Sequence, residues 1–372
     1  MEGAWQRVSD SELGARASCV ISTVDDGVIV WGGTDGTAPL RSGAVLSLGT
    51  DSSRRVVDAP IASRVGCATA VVDGKFFLWG GLDIERDPSC LLADGAVLGI
   101  QSGSWELLPQ APLTARANPC AAVTRGRLLI WGGDLGTLSS PLFMDGAWIE
   151  PATHCWQSIA TCPLSPRANA LSFFSAGLLH VVGGTAVDEV RQTIQVEVLP
   201  GARGAADLLS ERSAVEPRRL TDGAVYDLNS DSWIEFSPPR ELSSAVTVSA
   251  SSDGVVMFDQ RGRAALWQTK SARVEPLPSL PNGQERIRSL LSVVRLGHRV
   301  ALLSTGDLNG LEQSLDAAVL DVRRRRWLCL PETPLGARWQ FGATSTRAGD
   351  LVLWGGVSPA GYHSDGTRLV FN

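Results

Sequence analysis

The stretch Val28-Ile-Val-Trp-Gly-Gly33 decides the fold, because it returns as FFLWGG at 76–81, LLIWGG at 128–133 and LVLWGG at 351–356, and as LHVVGG at 179–184. The first glycines stand at 32, 80, 132, 183 and 355, so the steps are 48, 52, 51 and 172. A period of about 50 residues marks a unit that folds as one small sheet rather than as a helical repeat. The long last step holds two worn copies, VVMFDQRG at 255–262 and VALLSTG at 300–306. Seven units are therefore expected; the alternative is six, with Val255 to Lys270 as an insertion.

The remainder of the unit recurs in register. A turn dipeptide precedes each apolar run: Asp26-Gly27, Asp73-Gly74, Arg125-Gly126, Ala176-Gly177, Asp253-Gly254, Leu296-Gly297 and Ala348-Gly349, the type of pair that closes a two-residue hairpin. Before it runs a strand of small residues introduced by arginine, at Arg16, Arg64, Arg116, Arg167, Arg288 and Arg338. After the glycines a third strand opens with Asp94-Gly-Ala-Val, Asp145-Gly-Ala-Trp, Asp222-Gly-Ala-Val or Asp316-Ala-Ala-Val. A fourth carries Trp105, Trp156, Trp233 or Trp327. Each unit thus predicts a four-stranded antiparallel sheet, and the set predicts a radial array.

In these residues the chain resembles the kelch-repeat family, within the galactose oxidase and kelch-like group, over nearly its whole length. The resemblance implies an all-β fold, a seven-bladed kelch-type β-propeller of four-stranded antiparallel blades, with residues 1–372 as a single domain. The last unit lacks a fourth strand of its own, and Ala4 to Val8, with Trp5 in the expected place, predicts that the N-terminal segment closes that blade. A long insertion at about 186–221 interrupts the fourth unit. It reads either as an excursion without fixed structure or as a lid.

Composition adds constraints. The net charge of −6 offers no electrostatic footprint for nucleic acid, and no stretch is long and apolar enough to span a membrane. Met1 to Ser11 lacks the apolar core of a secretion signal, so a cytoplasmic, monomeric protein with reduced thiols is expected. Cys19, Cys67 and Cys120 fall at similar places in successive first strands and read as small buried residues. Cys90, Cys155, Cys162 and Cys329 show no zinc-ligand spacing. No metal and no cofactor are implied; a galactose oxidase type of copper and tyrosyl centre does not suit a chain whose only tyrosines are Tyr226 and Tyr362.

Short turns follow the first strands, whereas the loops after the double glycines are long and varied, so function is expected on the face where those loops emerge. Arg16, Arg64, Arg116, Arg167 and Arg338 belong to that face. They are expected either to pair in a structural ring with Asp35, Asp83, Asp134 and Asp307, or to bind an anionic ligand by forked hydrogen bonds. Asn118, Asn169, Trp339, Gln340, Tyr362 and His363 depart from the repeat and complete the ligand-binding candidates. His363 is the one histidine placed to act at this mouth, and a catalytic role for it is the only one the sequence offers. Two functions follow: a module that binds a protein, a peptide or a small anionic ligand through its loop face, or a metal-free isomerase, epimerase or cyclase acting on a small anionic metabolite, as the sialic acid epimerases that resemble kelch rings would imply.

Overall fold

The structure is a computed structural model that describes residues 2–371 except 10–12, 26, 51, 84, 86–89, 137–141, 187–217, 244, 252–253, 289 and 306–314. Among the described residues the only helices are two short ones, Arg240–Ser243 and Gly283–Arg288. The described strands form seven four-stranded antiparallel sheets and three small sheets of two or three strands. In the first sheet Val20–Val24, Gly27–Trp31, Gly43–Ser47 and Ser52–Val56 lie in chain order, and five others repeat this order. In the seventh, Gly342–Ser345, Leu351–Trp354 and Asp365–Phe371 are joined by Gly3–Ser9, which pairs in register from Gly3 opposite Phe371 to Ser9 opposite Asp365. First strands of successive sheets touch in chain order, and that of the seventh touches that of the first.

The local chemistry is that of the repeat. At Asp73-Gly74, Arg125-Gly126 and Ala176-Gly177 both residues have positive φ, the conformation whose twist matches that of the flanking strands. The second glycine of the double pair is required for two reasons. Gly81, Gly133 and Gly184 have φ of +100°, +90° and +95°, and a Cβ there would lie 2.6 to 2.7 Å from the carbonyl oxygen of Val65, Ala117 or Ala168. Residues 187–217 of the long insertion, and with them any lid, lie outside the described residues, as does Asp307.

Tryptophans join the sheets in two ways. Trp31, Trp79, Trp131 and Trp354 are at most 1% exposed and fill the wedge between neighbours. Trp31, Trp79 and Trp131 each face the fourth-strand Trp of the next sheet, Trp105, Trp156 and Trp233, with ring centroids 5.8 to 6.2 Å apart. The fourth-strand indoles reach backward. Trp105, Trp156, Trp233, Trp327 and Trp5 donate Nε1–H to the carbonyls of Val57, Pro109, Ala160, Pro278 and Pro331, each at the exit of the preceding sheet. Cys19 is buried, Cys67 and Cys120 are half-buried, and burial pushes their thiols up to about 11, about 11 and about 12.

Between the fourth and fifth sheets sits an unusual core group. His180 is buried, stacked on Phe173 at 5.1 Å and edge-on to Phe236 and Trp267 at 6.1 and 5.6 Å. Neither ring nitrogen has a hydrogen-bond partner. Burial lowers its pKa to about 4, with the Ser175 backbone opposing the shift.

Candidate functional site

The repeated arginines are buried inside the sheets' connecting loops and strand starts rather than open to a ligand. Arg16, Arg64, Arg116, Arg167 and Arg338 are at most 3% exposed. In each, Nη1 donates to the carbonyl of the first glycine of its unit, Gly32, Gly80, Gly132, Gly183 or Gly355, at 3.0 to 3.2 Å. The left-handed glycines turn that carbonyl inward, which is how the arginine and the double glycine come to recur together.

Four of them find acidic partners elsewhere than after the glycines. Arg64, Arg116, Arg167 and Arg338 pair with Asp94, Asp145, Asp222 and Asp365, the residues that open the third strands, at 2.9, 2.7, 2.9 and 2.7 Å. Arg16 meets Ser42 at the equivalent position, donating to its carbonyl at 3.0 Å. Asp35 instead accepts from the hydroxyl and amide of Thr37 and the amide of Ala38, which hold its carboxyl down at about 2. Asp83 accepts the amide of Glu85, and Asp134 those of Gly136 and the Asn118 side chain. The reason is geometric: Asp35, Asp83 and Asp134 accept from amides of their own turns, whereas the third-strand aspartates stand one hairpin away from the arginine fork.

The pairs leave an asymmetric surface. The guanidinium side chains of Arg64, Arg116 and Arg167 are fully covered, while the carboxylates of Asp94, Asp145, Asp222 and Asp365 remain 38 to 52% exposed. Hydrogen bonding from Arg167 holds Asp222 below the usual carboxylate range. Arg338 does the same for Asp365 against the upward push of burial.

Asn118, Asn169 and Gln340 obey the repeat instead of breaking it. Each stands two residues after its arginine, as do Ser18 and Gly66, and all five have φ between 52° and 63°. Asparagine and glycine tolerate this region, whereas serine and glutamine adopt it under constraint. Part of that constraint is visible: the Ser18 amide donates to the Gln340 carbonyl, and the Asn118 amide to that of Gly66, at 2.7 Å each. The turned backbone leaves the Asn118, Asn169 and Gln340 side chains exposed on the loop face.

Trp339, Tyr362 and His363 cluster on one hairpin and its neighbour. Val357–Ser358 pairs with Gly361–Tyr362, and Trp339 bridges Val357. The Tyr362 ring lies over Gly36 of the adjoining first unit, where a Cβ would collide with it. His363 Nε2 lies 2.9 Å from Ser358 Oγ and its Nδ1 4.0 Å from Asp365. Burial, then Arg338, lowers the His363 pKa while Asp365 opposes them. Ser358 and Asp365 escaped the sequence analysis, and Asp94, Asp145 and Asp222 entered it only as the starts of third strands, in the recurring Asp-Gly-Ala. Among the described residues no group of three or more His, Cys, Asp or Glu is placed to hold a metal, and no helix is long and apolar enough to cross a membrane.

The sheet architecture fits a β-propeller, and a solved structure supports that fold. The structure titled "Structure of YjhT" has 13% sequence identity and a TM-score of 0.50 over 98% of this chain and 96% of that one. The sequence matches no family profile and no curated protein. The fold is thus that of a propeller, a class that hosts both binding and enzymatic proteins.

Proposed function

We propose that the chain is a kelch-type propeller of seven blades, closed by its N-terminal strand, and that it acts in the cytoplasm as a monomeric binding module for a protein or peptide at its loop face. The seven four-stranded sheets and the pairing of Gly3–Ser9 with Asp365–Phe371 support the ring. The observation that carries the binding role is the division of labour among the repeated groups. The arginines are buried and occupied, and the face they frame exposes amides, aromatic edges and half-exposed carboxylates around Asn118, Asn169, Gln340, Trp339 and Tyr362. Such a surface favours a partner with donors and apolar groups over a small anion, because the four exposed carboxylates repel one. The test is cross-linking in cells followed by identification of the captured protein, comparing wild type with Trp339→Ala/Tyr362→Ala. Loss of one specific partner from the double variant, with unchanged melting temperature, supports the assignment; equal capture by both refutes it.

A second role rests on His363 and its 2.9 Å approach to Ser358 Oγ. A neutral imidazole with a hydroxyl and a carboxylate nearby is equipped for metal-free proton transfer on a small metabolite. Incubation of metabolite extracts with the protein in deuterated water would place deuterium on carbon, and His363→Gln would abolish that label. Equal labelling by the variant removes His363 from the chemistry.

A further inference from the structure

The opposite face carries a charge pattern the propeller does not need. Between the fifth and sixth sheets a cavity of about 330 Å³ is lined by Gln268, Glu275, Arg295, His298, Arg323 and Arg325, with Leu266 and Val322 as its apolar wall. The residues come from the strands Ala264–Gln268 and Arg273–Leu277, from the end of Leu290–Leu296 and the turn that joins it to Arg299–Thr305, and from the turn following Leu315–Asp321. Arg273 and Arg325 both engage Glu275. Arg324 lies 3.9 Å from Asp321, a carboxylate only 1% exposed whose Oδ1 accepts the Arg324 amide. Arg323 is exposed and has no ion pair or hydrogen bond among the described residues. Arg295 and Arg299 stand at the ends of the adjoining strands. Three arginines, Arg295, Arg323 and Arg325, therefore line the cavity with one carboxylate, Glu275, in a chain whose net charge is −6; Arg325 engages that carboxylate and Arg295 Nε donates to the Gly297 carbonyl.

We infer that this cavity binds a phosphate monoester, with Arg323 and Arg295 as the guanidinium donors and His298 as a third group that becomes a donor when it takes up a proton. Guanidinium forks match the oxygens of phosphate, and a dianion answers the surplus charge better than a single carboxylate does.

His298 reports the field. Its Nε2 is 3.6 Å from Asp321, yet its pKa lies below the ordinary histidine value: burial and Arg299 lower it, Asp321 opposes them, and Arg323 and Arg324 lower it further. Glu275, Arg295 and Arg325 face the same cavity from the neighbouring elements. An arriving dianion reverses that field, so His298 takes up a proton on binding at pH 7.5, where the ester, whose second ionisation lies at about 6, is still a dianion.

The probes are inorganic phosphate, phenyl phosphate and a phosphoserine peptide, titrated calorimetrically into the full chain at low ionic strength, with chloride and acetate as controls. Phosphate and at least one ester bind, Arg323→Ala weakens them by at least about tenfold, and His298→Phe keeps weak binding but loses the proton uptake, read at fixed pH from how the binding heat depends on the ionisation enthalpy of the buffer. Tightest binding of phenyl phosphate marks a small-molecule ester, and tightest binding of the peptide marks a phosphorylated partner; either outcome supports the site. Proton resonances of His298 in the wild type supply a measurement independent of any variant: phosphate moves them and raises the histidine's pKa. Phosphate that binds no better than chloride, or equal affinity in Arg323→Ala, overturns the inference.

Discussion

His180 makes the stability of the ring depend on pH in a calculable way. The imidazole is neutral inside its cage of Phe173, Phe236 and Trp267, whereas in the unfolded chain it has an ordinary pKa. The folded value, about 4, lies below the unfolded 6.5, so protons favour the unfolded chain between those limits. The stabilisation is whole above pH 6.5, declines as the pH falls, and levels off below 4. Linkage over that interval gives a loss of about 1 kcal/mol at pH 5.5 and about 2 to 3 kcal/mol at pH 4.5, relative to pH 7.5. His180→Phe keeps an aromatic ring in the cage and removes the proton site. Urea unfolding followed by tryptophan fluorescence at the three pH values measures both proteins, and carboxylates titrating in both cancel in the difference. The wild type should lose that much more stability than the variant on acidification. Parallel pH curves for the two proteins would refute the reasoning.

Three further outcomes are expected. Arg116→Ala leaves the carbonyls of Gly132 and Thr114 without their donor and should cost about 2 to 4 kcal/mol in chemical denaturation; a cost below 0.5 kcal/mol would show that these bonds are solvated. Deleting the first ten residues bares the edge of Asp365–Phe371 and removes the Trp5 bond to Pro331, so hydrogen exchange should show that strand losing protection before all others, and unchanged protection sinks the closure. Gly133→Ala, at φ +90° with its Cβ 2.7 Å from the Ala117 carbonyl, should destabilise by more than about 1 kcal/mol, whereas Gly126→Ala, strained in φ but in open space, should cost less when both are melted side by side.

The repeat was legible because its causes are local. The double glycine answers a left-handed turn and a close carbonyl, and the buried tryptophan fills a wedge; both constraints restrict residue type, so they surface as letters. The arginine recurred as a letter too, but its partner did not, since several aspartates surround it in sequence and only the hairpin geometry selects Asp94, Asp145, Asp222 and Asp365. The position two residues after the arginine was harder still. Ser18, Gly66, Asn118, Asn169 and Gln340 share a φ and no chemistry, so they looked like departures from the pattern. The basic run Arg323 to Arg326 is visible in the sequence only as a run of charge, because Arg295, His298 and Glu275, which make a cavity with Arg323 and Arg325, come from other parts of the chain.

The backward-reaching indoles also say where the ring can be divided. Fourth strands Ser52–Val56 and Arg273–Leu277 carry no tryptophan, so the fifth sheet lacks the stitch that five others make to the sheet before it. The connection between Phe236 and Arg240 crosses that junction. Cut there, the chain becomes a split protein: one fragment holds four sheets and an overhanging strand, Gly3–Ser9, and the other holds two sheets and a three-stranded remnant that the overhang completes. The two ends join as a lap joint, so reassembly needs only one seam to be made face to face, and the other is guided by strand register.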